Sequence, residues 1–343
     1  MAEEGLVYVE RGKLRQLFID KLTNAGLSEQ HADKTADLMI FADERGIHSH
    51  GSVRTQYYAE RIAKKGYNLN PALTFTKTGP SSGTYFGDNA VGHYVAYEAM
   101  EEAIKLAKES GIGMVGIKEM GHSGAIGYFA EQAAKEGMVA LTVCQSDPMV
   151  VPFGGTEPYF GTNPIAFAAP RKNGEPILFD MATTVQAWGK ILDARSKNKS
   201  IPDTWAVDKQ GEPTTDPFEV AALLPVAGPK GYGLMMMVDI LAGSLLGLPF
   251  GKHVTSMYED LSQYRRLGQF HIVINPAYFG DEEQFLTHVS EMVDELHDIK
   301  PAKGFDQVYY PGEIQEDVKK RYKESGIPIA ESIYEYLISD EIY

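Results

Sequence analysis

Three histidines and one arginine carry the chemistry this sequence can offer. His122 lies in KEMGHSGAIGYF, between an apolar run that reads as a strand and a segment that reads as a helix. Flanking glycines let such a loop present an imidazole to a ligand, and an unperturbed pKa near ~6.5 suits the ring to take a proton near neutrality. His48 and His50 fall in a second compact loop, GIHSHGSVR, which also holds Arg54. Three readings are open. The H-x-H pair with His122 could ligate a metal and serve a hydrolase; the histidines could simply bond backbone; or a histidine could move a proton while Arg54 grips a carboxylate with its planar fork. The third pairing is what oxidation of a 2-hydroxy acid requires. Against the metal stand the absence of H-E-x-x-H and a single cysteine, Cys144, which reads as a buried strand residue rather than a nucleophile.

Other segments could serve an anionic ligand. PFGGTEPYFGTNP is dense in turn residues that can turn backbone N–H groups toward an anion. FDMATT ends a strand at Asp180 and runs into Thr183 and Thr184 at an expected helix start, where a carboxylate could take a ribose or merely cap the helix. In GPKGYGL, Lys230 stands between turn glycines before an apolar helix and could meet a phosphate or face solvent. GIGMVG, from Gly111 to Gly116, matches G-x-G-x-x-G but is no dinucleotide fingerprint: its glycines follow a helix and lead into a strand, the reverse of the order that brings pyrophosphate to a helix N-terminus.

These loops need elements to position them. Up to residue ~66 the pattern is helical. KLRQLFIDKLTNAGL sets Leu14, Leu17, Phe18 and Leu22 on one face, Ser28 caps the next helix, and a third runs from about Ser52 to Gly66 with Arg54 and Tyr58 one turn apart. From Asn70 short apolar runs alternate with helices, which indicates an α/β or α+β core. Two acidic helices follow near the C-terminus. The expected division is a discontinuous helical domain, 1–70 with about 280–343, and an α/β domain, 71–279. The most apolar window, GYGLMMMVDILAGSLLGLPF, contains Asp239 and reads as a buried helix rather than a membrane span.

Composition excludes some partners. With 343 residues, 43% hydrophobic and 23% charged, the chain has the make-up of an ordinary globular protein. A net charge of -15 without clustered Lys or Arg argues against nucleic acid. One cysteine cannot form an internal disulfide, and MAEEGLVYVERGK lacks the layout of a signal peptide, so a reducing, cytoplasmic setting is expected.

Taken together, SHGSVR, GHSGAIGYF, PFGGTEPYFGTNP, FDMATT and GPKGYGL resemble the signatures of the malate/L-lactate/L-sulfolactate dehydrogenase-like oxidoreductases, and the likeness extends along essentially the whole chain. The resemblance implies a non-Rossmann NAD(P)-binding fold with a mixed sheet flanked by helices, and a homodimer. It implies NAD-dependent oxidation of a small 2-hydroxy acid, with (S)-ureidoglycolate expected and malate, lactate, sulfolactate or a keto-gulonate as alternatives. His122 matches the proton acceptor, and His50 and Arg54 match the substrate-side pair; in some relatives the residue matching His50 is the acid/base. Tyr58 and Asn163 are expected at the substrate. Ser146, the run Asp180, Met181 and Ala182, Lys230, and the run Gly312, Glu313 and Ile314 match positions that hold the cofactor.

Overall fold

Most of the short apolar runs become strands of one seven-stranded sheet. The structure is a computed structural model that describes residues 5–343; residues 1–4, part of the stretch in which no signal sequence is read, lie outside the described residues. The chain opens on a short strand, β1 (Leu6–Val9), where helix was expected, and continues with α1 (Arg11–Asn24), α2 (Glu29–Glu44) and α3 (Thr55–Ala63). Ser28 caps α2 as expected, accepting the His31 N–H. Strands β2 (Thr74–Gly79) and β3 (Ser82–Phe86) form a hairpin, and helix α4 (Gly92–Ser110) crosses over to β4 (Ile112–Met120). Gly111 ends α4 in the left-handed conformation, so the GIGMVG run enters a strand from a helix. Helix α5 (Gly127–Lys135), then β5 (Val139–Cys144), β6 (Ile165–Ala169) and β7 (Ile177–Met181) follow. The excursion beyond β7 carries α6 (Trp188–Ser196) and the short pair β8 (Ala206–Val207) and β9 (Ala222–Leu223). Helix α7 (Pro229–Ala242), strand β10 (Leu267–Ile274), α8 (Glu282–Asp298), α9 (Glu313–Ser325), β11 (Ile327–Ala330) and α10 (Glu331–Ile338) complete the order.

The main sheet runs β2-β3-β4-β10-β5-β6-β7. Only the β3–β4 pair is parallel, joined by the α4 crossover that parallel strands need; the other pairs are antiparallel. Helices α4 and α5 bury their apolar faces on one side of it with Val115, Ile117, Phe129, Ala140 and Val273. A second cluster joins Leu14, Phe18, Leu22, Met39 and Tyr58 to Ile327 and Ile329, because β1 pairs with β11 in the register Leu6 to Ala330. Helix α8 lies elsewhere: its Leu286 carbonyl accepts the Lys172 N–H at 3.1 Å.

Two expectations change. Thr183 and Thr184 do not start a helix; Thr184 makes a bridge to Pro225, and α6 begins only at Trp188. Helix α7 is buried on one face only. Met235, Val238 and Ala242 pack inward, whereas Ile240 is 51% exposed and Leu245, just beyond the helix, 60%. An all-round apolar helix reads as buried, and sequence alone does not show which of its faces the rest of the chain leaves open.

Candidate active site

The helix preceding the first histidine loop also fixes that loop. Asp43, wholly buried near the end of α2, accepts from His48 Nδ1 at 2.9 Å and from the Ser52 N–H at 2.6 Å. Burial raises the Asp43 pKa, against those two hydrogen bonds. Gly51 makes the approach possible, since a Cβ there would stand 2.1 Å from the Asp43 carboxyl. With its two ends pinned, the loop turns His50 and Arg54 together. His50 stacks on His122 with ring centroids 5.9 Å apart.

His122 arrives from the sheet. It follows β4 and precedes α5, and the two loops are tied through their helices by Arg45. That buried guanidinium holds Glu44 at 2.9 Å, Glu131 of α5 at 2.6 Å and Glu316 of α9 at 2.8 Å. Tyr58, fully buried on α3, places its hydroxyl 2.8 Å from His122 Nδ1. Burial drives the His122 pKa well below its ordinary value, helped by His50, Arg54, His93 and Arg265. Burial, then Arg54, lowers His50 to about 4. Both rings are therefore neutral at pH 7. Arg54 spends Nε on the Ser49 carbonyl at 2.8 Å and reaches the Tyr258 hydroxyl with Nη1 at 3.2 Å.

The structure thus brings His122, His50, Arg54 and Tyr58 into one group. His48 is turned away onto Asp43, with its ring 6.2 Å from that of Tyr322, so the three-histidine metal set is not assembled. Asn163 is buried and its amide is used within the chain, Oδ1 accepting the Ser146 N–H at 3.3 Å and Nδ2 donating to the Met235 carbonyl at 3.0 Å. Cys144 is buried at the end of β5, and burial pushes its thiol up to about 12, which leaves no thiolate at neutral pH.

The expected cofactor residues form a connected run beside this group. Asp180 Oδ2 accepts the Gly127 N–H at 2.7 Å, tying β7 to the start of α5; its outer edge meets solvent, but the surrounding protein pushes its carboxyl up to about 6. Thr183 donates its N–H to the Thr162 carbonyl and accepts the Val226 N–H, linking Ala182 to the turn before Lys230. Ser146 Oγ meets Thr162 Oγ1 at 3.0 Å. At the other end of β7, Gly312 (φ 95°) packs on Leu178, where a Cβ would be 2.7 Å from the carbonyl oxygen. Glu313 is committed to His297 at 2.8 Å, and Ile314 is exposed. Helices α7 and α9 both begin at glycines without side-chain caps, and Lys230 in the first turn of α7 has no ion pair among the described residues. The positive end of a helix without a side-chain cap, beside a lysine free of ion pairs among the described residues, suits a dinucleotide's phosphates, so the donor set fits NAD.

Four residues at the site escape sequence reasoning: Asp43, His93, Tyr258 and Arg265. His93 is buried against Tyr58 and His122, at 4.9 and 6.3 Å between ring centroids, and burial holds its pKa down to about 3. Its place at the start of α4 gives no pattern to read. Arg265 precedes β10, and the register that pairs Leu267 with Met120 leads it toward His122.

Comparison with known proteins bears on this geometry. A family model described as malate/L-lactate dehydrogenase matches residues 9–338. A ureidoglycolate dehydrogenase (NAD(+)) of Escherichia coli (strain K12) is 58% identical over 335 residues, covering 98% of this chain and 96% of the relative. Among solved structures, sulfolactate dehydrogenase from Methanocaldococcus jannaschii superposes with a TM-score of 0.90 at 37% identity, covering 96% of this chain and 95% of that one. Malate dehydrogenase from Pyrococcus horikoshii OT3 gives 0.88 at 36% identity, covering 98% and 95%.

Proposed function

Because the chain belongs to the malate/L-lactate dehydrogenase family, we propose that it oxidises (S)-ureidoglycolate to oxalurate with NAD+ in the breakdown of allantoin. The observation that supports the chemistry is that a neutral, oriented histidine, His122, shares one group with Arg54, whose planar fork suits a carboxylate. The choice among hydroxy acids rests on the 58% identity to a ureidoglycolate dehydrogenase.

In this reading Arg54 holds the substrate carboxylate and His50 borders the hydroxyl. His122 Nε2 takes the hydroxyl proton as C2 gives up its hydride and the C2–O bond becomes a carbonyl. NAD+, when bound, would supply the hydride acceptor, and Ser146, Asp180, Met181, Ala182, Lys230 and the run Gly312, Glu313 and Ile314 would hold it. For Nε2 to be free, Nδ1 must carry the ring proton and donate it to the Tyr58 oxygen, so Tyr58 fixes the tautomer and steadies the imidazolium that forms. Asn163 holds Ser146 in place. The exposed apolar side of α7 supports a homodimer, and the lone buried cysteine suits the cytoplasm.

The test is spectrophotometric. Purified protein is offered NAD+ or NADP+ with ureidoglycolate, malate, lactate or sulfolactate. NADH formation with ureidoglycolate at the highest kcat/KM is expected. Turnover of another acid but not of ureidoglycolate retires the substrate, and no reduction with any of them retires the dehydrogenase. Light scattering on the same sample reads the dimer.

A further inference from the structure

We propose that Tyr258 hydrogen-bonds the substrate carboxylate alongside Arg54. A guanidinium has donors only, so in their 3.2 Å contact Arg54 Nη1 donates and the phenol oxygen accepts. The Tyr258 O–H is then left to donate. The group that Arg54 is shaped to hold is a carboxylate, which only accepts. A carboxylate on the fork therefore meets the guanidinium N–H groups and a phenol O–H side by side, and the phenol becomes one wall of the anion cradle.

The placement of Tyr258 is enforced from both sides. Before it, buried Asp147 accepts from the Met257 N–H and from the Arg265 guanidinium, and Arg265 in turn accepts on its carbonyl from Thr255 Oγ1 at 3.0 Å. After it, buried Arg61 donates to the Gln263 carbonyl. Gly66 adds room there, since a Cβ would stand 1.9 Å from the Leu261 oxygen. Tyr258 itself is 48% exposed and leans on Tyr57 with ring centroids 6.5 Å apart. The segment 255–264 is thus clamped while its tyrosine stays open to an incoming ligand.

This inference rests on the proposed function only in taking the ligand for a small carboxylate. Its test reads binding rather than turnover. Oxamate, a small carboxylate with an amide, is titrated by calorimetry into the full-length protein with NADH present, for wild type, Tyr258→Phe, Arg54→Lys and the double variant. Tyr258→Phe is expected to weaken oxamate about tenfold, the loss of one hydrogen bond to a charged group, with NADH affinity and thermal midpoint unchanged. In the Arg54→Lys background the same change is expected to matter less than about threefold, because a carboxylate no longer held by the fork no longer faces the phenol. Oxamate affinity within twofold of wild type in Tyr258→Phe, an equal loss in both backgrounds, or no oxamate binding to wild type would each overturn it. A protein that binds oxamate through Tyr258 yet fails to oxidise ureidoglycolate would retire the substrate and leave this inference standing.

Discussion

At the scale of single residues, the proposed chemistry needs a neutral proton acceptor, and burial holds His122 well below its ordinary pKa. His122→Asn removes the acceptor and is expected to lower kcat by about 10²–10⁴-fold with NADH binding retained; steady-state turnover and NADH fluorescence titration check this. Tyr58→Phe removes the partner of Nδ1, so neutral His122 is free to carry its proton on the wrong nitrogen. An expected fall in kcat of about tenfold or more, with KM little changed, separates this from a substrate contact, which would raise KM. Arg54→Lys replaces a fork with a point charge, and KM for the hydroxy acid is expected to rise about tenfold or more in initial-rate measurements. His50, Arg54 and Tyr58 are legible in the sequence because they share one short loop and helix turn. His122 is legible because glycines mark its loop. Tyr258 and His93 are not, since each reaches the site from a distant segment by packing that no local spacing records.

At the scale of elements, the two histidine loops meet because the helices beside them are bolted together. Arg45 joins α2, which leads into the His50 loop, to α5, which leads out of the His122 loop, and to α9 beside the expected cofactor residues. Arg45→Ala leaves Glu131 and Glu316 buried around a missing cation. Removing one partner of a buried ion pair costs about 3–5 kcal/mol, so a marked drop in the urea midpoint is expected, with kcat/KM falling as the loops separate. The strand and helix types along the sheet follow from apolar periodicity and from the Ser28 and Gly111 caps. Strand β1 was hidden because LVYV is too short to show a period, and its partner β11 is more than three hundred residues away in sequence.

At the scale of the whole molecule, several imidazoles are folded in their neutral form. His93 and His271 are held down to about 3 and His50 to about 4, with His122 also well below its ordinary value, all chiefly by burial. Each folded pKa lies below the unfolded value near ~6.5, so below that pH the unfolded chain binds more protons and stability falls by about 1.4 kcal/mol per pH unit per fully shifted group. Asp180, raised to about 6, acts in the opposite sense, gaining stability as pH falls through 6, and burial raises Asp43 and Asp239 too, but His31 joins the lowered imidazoles, which makes five groups against three. The thermal midpoint is therefore expected to be clearly lower at pH 5 than at pH 7 in a calorimetric scan. The acid limb of kcat/KM should lie below pH 6, because His122 stays unprotonated there.

The pairing of β1 with β11 also sets an order of events during synthesis. Leu6 to Val9 are made early, and their hydrogen-bonding partners, Ile327 to Ala330, follow more than three hundred residues later. At about 5–20 residues per second, that delay is on the order of tens of seconds. Through that interval β1 and the inner face of α1 lack the strand and helix that cover them, whereas the sheet from β2 to β10 has every residue it needs once Ile274 is made, ahead of Ile327. The α/β part can therefore assemble on the nascent chain before the helices flanking the His50 and Arg54 loop take the cover that β11 supplies.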